Sequence, residues 1–374
     1  MTVNMETIKS KNKLNTKNCI LIYENKQEYN ELMTNIPPCD FQLEKPSLSN
    51  NMVIQGDNSV VMKELLKDYK GKIDLVYIDP PFGTGQNFSL YDNNTAYSDS
   101  LINSDFLEFI RKRLYLIHEL LSEQGSLYLH IDKNISHYVK IILDEVFGYK
   151  NFINEITRIK CNPKNFSRKA YGNISDSIFY YSKNRDKQIF NDISISLTNE
   201  ELEKLYKKTY SDGRKYTTHP LHAPGETKNG DTGSEWRGMF PPKGRHWRYG
   251  LEVLEELYQN NLIEFSSTGN PRKIVFADEH NGKKKQDIWE YKDKGKAYIT
   301  YPTEKNFDML NYIIKNSSNE NSIILDCFGG SGSTAINAHL NNRTFITIDQ
   351  SEISINTMKK NFEKYKIEYS LYSI

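Results

Sequence analysis

The stretch Ile73 to Phe82 reads IDLVYIDPPF, and its reading decides the fold. The run Ile73 to Ile78 is short, β-branched and aromatic, and Pro80-Pro81 punctuates it, so a buried strand is expected there. The strand stops on a carboxylate, Asp79. Pro80 and Pro81 carry no backbone N–H and fix their own φ, so the carbonyls at this point are aimed stiffly. The Asp79 carboxylate and the Pro80 carbonyl form a rigid acceptor pair beside the flat ring of Phe82. Such a set suits the grip of a planar ring by its exocyclic amine and its face. The competing reading is a strand ending in an Asp-Pro turn, with Asp79 as a cap.

Outward from this strand the pattern alternates. Met52 to Gln55 is a short strand ending at Gly56-Asp57, and a helical stretch follows over Val60 to Leu66. Phe106, Ile110, Leu114, Ile117 and Leu121 recur at helical spacing. Gly125 opens a strand over Ser126 to Ile131, Val139 to Phe147 reads as a helix ended by Gly148, and Ser177 to Tyr181 as a strand. Much later come the strand Ser322 to Leu325, a glycine loop, the helix Thr334 to Leu340 and the strand Thr344 to Ile348. Strands and helices alternating in this way predict an α/β fold with a doubly wound, mostly parallel, Rossmann-like sheet. Ligands of such sheets sit at the carboxyl ends of the strands. Asp57, Asp79, Asp132, Asp326 and Asp349 all fall at or just after those ends.

Composition bounds the partners. The 374 residues are 37% apolar and 26% charged, with ample material for a core. No run of 18 apolar residues and no secretory leader is read, since Met1 to Asn18 is polar and Lys-rich, so no membrane role is expected. Cys19, Cys39, Cys161 and Cys327 are scattered without CxxC spacing, which points to a reducing cytoplasm and against a zinc site. No metal is expected. The formal net charge is only +1, so a nucleic-acid partner would need a local basic patch.

Two such patches stand out. Between about 185 and 293 the strand–helix alternation is lost, and Trp236, Trp247 and Trp289, all the tryptophans of the chain, lie there. Trp236 to Arg248 (WRGMFPPKGRHWR) contains Arg237, Lys243, Arg245 and Arg248 and no acid, and Lys160 to Lys169 contains Lys160, Lys164, Arg168 and Lys169 and no acid. Basic residues interleaved with aromatics fit phosphate contacts combined with base contacts or stacking. The alternative is a small Trp/Arg core under a solvated charged loop.

The glycine loop CFGGSGST (327–334) has two readings. Gly330-Ser331-Gly332-Ser333-Thr334-Ala335 satisfies G-x-G-x-x-A between a strand and a helix, and Asp349 ends the next strand, as in a dinucleotide site. Too little chain follows Asp349 for the remaining strands of a nicotinamide domain, so the other strands must come from earlier in the chain and the sheet is permuted. Asp326 and Phe328 give the form D-x-F-x-G-x-G, which lacks the early glycines of a pyrophosphate turn. An adenosine with a zwitterionic amino-acid tail fits better. The glycine amides and Ser331 would face the tail, Asp349 the ribose and Asp57 the adenine amine.

With these residues in view, the chain resembles the beta class of S-adenosylmethionine-dependent DNA amino-methyltransferases. The resemblance rests on motif order: DPPF first, a target-recognition region in the middle, FGGSG near the end. GDNSVVMKELLKDYKGKIDLVYIDPPFGTG (56–85), GSLYLHIDKN (125–134), EVFGYKNFINEI (145–156), IFYYSKN (178–184) and LDCFGGSGSTA (325–335) carry it, over about 51 to 349. YPTEKN (301–306) sits where the family has a lysine segment near the methionine end, with Asn306 in place of the usual Pro; Asp349 stands where Glu is usual.

The resemblance implies four regions: an N-terminal extension (1–50), a catalytic half (51–185), a target-recognition insert (186–293) and a cofactor half (294–374). It implies Asp79, Pro80, Pro81 and Phe82 as the catalytic residues. It implies S-adenosyl-L-methionine held by Asp57, Asp79, Thr303, Lys305, Asp326, Phe328, Gly329, Gly330, Ser331, Gly332, Ser333, Thr334 and Asp349. The expected substrate is an adenine flipped out of double-stranded DNA, in a bacterial restriction–modification system, with a homodimer and a cognate restriction endonuclease as the further partners the family admits. The alternatives are methylation of the cytosine amine, an RNA or protein-glutamine amine as acceptor, and a non-catalytic DNA-binding subunit on the same fold.

Overall fold

The computed structural model describes residues 20–81, 104–163, 169–293 and 306–374. The first part of the chain supplies α1 (Tyr29–Thr34), β1 (Gln42–Lys45), β2 (Met52–Gln55), α2 (Asn58–Tyr69), β3 (Ile73–Ile78), α3 (Ser104–Leu120), β4 (Leu121–Ile131), α4 (Lys133–Phe147), β5 (Phe152–Ile159) and β6 (Ser175–Ser182). The middle supplies β7 (Ser194–Ile195), α5 (Asn199–Leu205), β8 (Lys208–Thr209), β9 (Lys215–Pro220), β10 (His222–Pro224), β11 (Arg245–Trp247), α6 (Leu251–Gln259), β12 (Ile263–Phe265), β13 (Pro271–Phe276) and β14 (Lys283–Lys284). The last part supplies β15 (Ile288–Glu290), α7 (Phe307–Ser317), β16 (Ile323–Asp326), α8 (Ser333–Leu340), β17 (Thr344–Asp349), α9 (Glu352–Lys364) and β18 (Ser370–Ser373).

Two compact units result, one formed by residues up to Ile193 together with Gln286–Ile374, the other by Ser194–Lys285. The first is built on a 10-stranded sheet of order β1-β18-β2-β17-β16-β3-β4-β6-β5-β15. From β18 across to β4 every pairing is parallel, while β6 runs antiparallel to both β4 and β5. Period-2 alternation divides the side chains between two faces. On one face Val76 and Ile78 of β3 and Leu127 and Leu129 of β4 pack with Val61 and Leu65 of α2, Leu114 and Ile117 of α3 and Val139 and Leu143 of α4. On the other, Leu75 and Tyr77, Tyr128, Ile178 and Tyr180 pack with Ile313 of α7, Ile336 of α8 and Met358 and Phe362 of α9. Both faces are thus covered, which is why the central strands are nearly continuous apolar runs.

Boundaries differ from the sequence expectation where a cap decides them. Asp132 caps the Asn134 N–H, so α4 begins at Lys133 and not near Val139; it ends where Gly148 turns to φ 82°. Asp57 accepts from the Ser59 and Val60 amides, so α2 starts at Asn58. Strand β4 begins at Leu121, opposite Ile73, and Gly125 lies inside it beside an irregularity in the ladder. There a Cβ would meet the Ile73 carbonyl oxygen at 2.8 Å, so only glycine fits without a shift.

The second unit has a four-stranded sheet of order β12-β13-β9-β8, two short two-stranded ribbons, and a small core of Leu221, Trp236, Trp247, Leu254 and Leu257. Strand β15, with Trp289, pairs with β5 and belongs to the large sheet. Cys39, Cys161 and Cys327 are free thiols. Among the described residues no helix is long and apolar enough to cross a membrane, and no cluster of three or more His, Cys, Asp or Glu side chains could hold a metal ion.

Candidate functional site

Strand order assembles the site. β3 leads outward to β4, and β16 leads outward to β17 in the opposite direction, so the sheet has its topological switch point between β3 and β16. A crevice at the carboxyl ends of the strands is expected there. Across β2-β17-β16-β3 the strand ends present Asp57, Asp349, Asp326 and Asp79 in that order, so residues far apart in sequence become a row of carboxylates.

Asp326 is 6% exposed, and its carboxylate accepts the Phe328 N–H at 3.0 Å. Burial, with the charges of Asp79 and Asp349 adding to it, pushes its pKa up to about 7 against the opposing hydrogen bonds from Thr334 and Phe328. Asp349 is also raised, by burial above all; its two oxygens accept the Gly330 N–H at 2.8 Å and the Ser351 N–H at 2.9 Å. Asp349 therefore ties the glycine loop to the end of β17.

The loop itself needs glycine for packing. A Cβ at Gly329 would meet Thr347 Oγ1 at 2.3 Å and Met358 Cε at 2.6 Å. Gly332, at φ +80° where α8 starts, would drive a Cβ into Phe362 at 2.8 Å. The loop is thus pressed against β17 and α9. Ser331 and Ser333 share a hydrogen bond of 2.8 Å, and Asn361 donates to the Ser331 carbonyl at 2.9 Å. Thr334 is buried in the first turn of α8, and Phe328 lies with its ring centroid 6.1 Å from that of Phe109.

Asp57 has other duties than a free acceptor would have. Its Oδ1 caps α2, and its Oδ2 pairs at 3.2 Å with Arg113. Burial alone would raise this carboxyl, but Arg113 and the cap outweigh it and lower the pKa. Arg113, itself buried, lies 3.4 Å from the Phe109 ring centroid. Asn58 donates to the Cys327 carbonyl at 2.6 Å, joining the start of α2 to the base of the glycine loop.

Asp79 follows β3 with its side chain 17% exposed, and Pro80 is buried behind it. Its ionisable neighbour on β4 was not anticipated. His130, fully buried, has Nδ1 3.7 Å from Asp79 Oδ1 and 3.1 Å from the Tyr77 hydroxyl. Its Nε2 lies 3.2 Å from Asp176 Oδ2. Alternation in Leu127–Ile131 was the available signal, since it puts His130 on the same face as Tyr128. That Asp176 of β6 would meet it follows only from strand pairing.

The other expected residues divide. Phe82, Thr303, Lys305, Lys164 and Arg168 lie outside the described residues. Trp236 and Trp247, expected to touch DNA, are 4% and 1% exposed and form the core of the second unit, edge to face with ring centroids 6.3 Å apart. Burial leaves them no face for a base, and Trp247 Nε1 donates to the Ser234 carbonyl. Arg237 makes a two-pronged pair with Glu255 at 2.9 and 2.6 Å and lies over the Tyr258 ring. Lys160 pairs with Asp176 at 2.7 Å and approaches Asp132 at 3.9 Å. Lys169, Lys243, Arg245 and Arg248 are exposed.

The cofactor implied by the sequence motifs fits these residues. A row of acids in which one carboxyl is driven to about 7 suits a ligand carrying ammonium and sulfonium charge. Asp326 and the loop from Phe328 to Thr334 would hold the amino-acid end of S-adenosyl-L-methionine and Asp349 the ribose.

Comparison with known proteins gives the family. Residues 73–360 match a family described as DNA methylase, joining N6 and N4 enzymes. The chain is 41% identical to the type II methyltransferase M.EcaI of Enterobacter cloacae, over 86% of this chain and 72% of that protein. It is 27% identical to the StyLTI Mod subunit, a type III restriction-modification enzyme of Salmonella typhimurium, over 83% of this chain but only 54% of that longer one. It is 23% identical to the DNA adenine methyltransferase YhdJ of Escherichia coli, over 79% and 77%. Match length and identity together make this chain a member of the N6/N4 DNA methylase family.

Proposed function

We propose that the protein transfers a methyl group from S-adenosyl-L-methionine to the N6 amine of adenine in duplex DNA, as the modification enzyme of a restriction–modification system. The observation that carries this is the adjacency of Asp79 and Asp326 at the ends of neighbouring strands β3 and β16, which would set the amine-binding tetrapeptide beside the methyl-donor site.

The bound cofactor supplies an electrophilic methyl on a sulfonium. The obstacle is the amine, whose lone pair is delocalised into the ring. Asp79 and the Pro80 carbonyl accept its two hydrogens and favour a pyramidal nitrogen with an available lone pair. The gain comes from acceptors fixed in advance where charge develops in the transition state, and from alignment of the reacting atoms. Once transfer makes the nitrogen acidic, its proton passes to the Asp79 carboxylate. Phe82 would stack on the base once it leaves the duplex. Lys169, Lys243, Arg245 and Arg248 are the exposed cations we assign to phosphate contacts.

Adenine is preferred over cytosine because the tetrapeptide begins with Asp and because YhdJ, an adenine enzyme by name, aligns over most of both chains. The test is incubation of unmethylated duplex DNA with purified protein and methyl-labelled cofactor, followed by nucleoside separation. Label in N6-methyl-2′-deoxyadenosine is expected. Label in N4-methyl-2′-deoxycytidine would transfer the claim to the other amine, and no label in any nucleoside would remove it.

A further inference from the structure

Behind Asp79 lies a chain of buried polar groups that the proposed chemistry does not use directly. β3 and β4 pair in register, with Tyr77 opposite Tyr128 and Ile78 opposite Leu129, so Asp79 and His130 follow as neighbours at the strand ends. β4 and β6 pair with His130 opposite Ile178, and Asp176 lies two residues along on the same face. On β5, Arg158 is opposite Asp176. Tyr77, His130, Asp176 and Arg158 are 1%, 0%, 4% and 1% exposed. Polar groups so deeply buried are costly unless they are paired, and these are. Arg158 donates to the Tyr291 carbonyl at 2.9 Å and pairs with Asp293. Lys160 reaches Asp176 at 2.7 Å.

The row has a direction. Burial would raise the Asp176 carboxyl, but hydrogen bonds from His130 and Lys160 outweigh it and hold it down at about 2. An ionised Asp176 can only accept at this contact, so His130 Nε2 carries the N–H that donates to it, which fixes the ring and turns Nδ1 towards Tyr77 and Asp79. At 3.7 Å the Nδ1–Asp79 contact is electrostatic and steric, longer than a hydrogen bond.

We propose that His130, anchored by Asp176, is a positioning residue that orients the Asp79 carboxylate for the amine. The proposal rests on the reading of Asp79 as the amine acceptor. It assigns His130 no contact with substrate. A ring held on both sides by β3 and β6 restricts the rotamers of Asp79, and a misplacement of about 1 Å at a reacting group can cost roughly a hundredfold in rate.

The test measures single-turnover methyl transfer to duplex DNA at saturating cofactor, normalised to the number of cofactor sites titrated calorimetrically. His130→Ala is expected to lower that rate about tenfold to a hundredfold, with dissociation constants for cofactor and DNA within about threefold of the parent. His130→Asn, whose side-chain amide keeps a hydrogen-bonding atom near the Nδ1 position, is expected to recover part of the loss, and Asp176→Asn to show a smaller loss than His130→Ala. If His130→Ala does not fold, the Asn variants carry the test alone. An unchanged rate per site in His130→Asn and Asp176→Asn overturns the proposal. So does a loss confined to the binding constants. Asp79→Asn serves as the reference: if it transfers methyl at the parent rate, the catalytic reading itself falls, whereas an inactive Asp79→Asn beside normal His130 variants removes only the positioning role.

Discussion

Asp326 shows how a single residue reports on its surroundings. Its carboxyl moves from an ordinary value near 3.8 to about 7 because the folded site excludes water and gathers negative charge. A carboxyl raised on folding contributes stability that is complete below the unfolded value and lost as pH climbs through the folded one. Between about pH 4 and 7 the folded cofactor-free protein holds a proton that the unfolded chain has released. The stability difference between Asp326→Asn and the parent should therefore move in favour of the variant as pH rises, by at most about 1.4 kcal/mol per pH unit. Urea unfolding of both proteins at pH 5, 6 and 8, without cofactor, measures this. A gap that stays constant with pH contradicts the assignment.

Among elements, the glycine loop between β16 and α8 is the most demanding. It runs so close to β17 and α9 that the space for a Cβ at Gly329 is already taken by Thr347 and Met358. Gly329→Ala must displace one of these, which costs about 1 to 3 kcal/mol for an overpacked site. It should also weaken cofactor binding, since the amides of the loop shift with it. Chemical denaturation and calorimetric titration of cofactor check the two effects; a variant with parental stability and affinity would show the loop to be more compliant than its packing implies.

This loop was legible in the sequence because Asp326, the glycines and the following helix lie together in the chain. Asp79 was legible for the same reason, its strand and its prolines being contiguous with it. His130 was not, because its meaning depends on which strands lie on either side of β4. Trp236 and Trp247 were expected on the surface from their basic neighbours, yet local charge says nothing of which way an indole turns. In the structure the indoles build the core of their unit, and Arg237 is taken up by Glu255.

At the scale of the whole molecule, the two compact units separate stability from function. Trp247→Ala should destabilise the Ser194–Lys285 unit by about 3 to 5 kcal/mol, the cost of emptying a core aromatic site. Limited proteolysis should then cut within that unit while cofactor affinity is preserved. Joint replacement of Lys243 and Arg248 by Ala should leave stability unchanged and weaken DNA binding to all sequences alike. The slope of log affinity against log salt should fall by about 2, roughly 0.9 for each phosphate no longer neutralised. Parental DNA affinity and salt slope in this double variant would remove those two cations from the interface.

The strand order also governs how the molecule is made. β16 and β17 are among the last strands in the chain, yet they fill the gap between β2 and β3, which are among the first. Until some 290 residues beyond β2 have left the ribosome, both early strands have an edge without its native neighbour. Loop closure over such a separation is slow, and open apolar edges invite association in the meantime. Nascent chains halted before Ile323 should be captured by chaperones or aggregate, with native-like protection of β3 appearing only once β16 can enter the sheet.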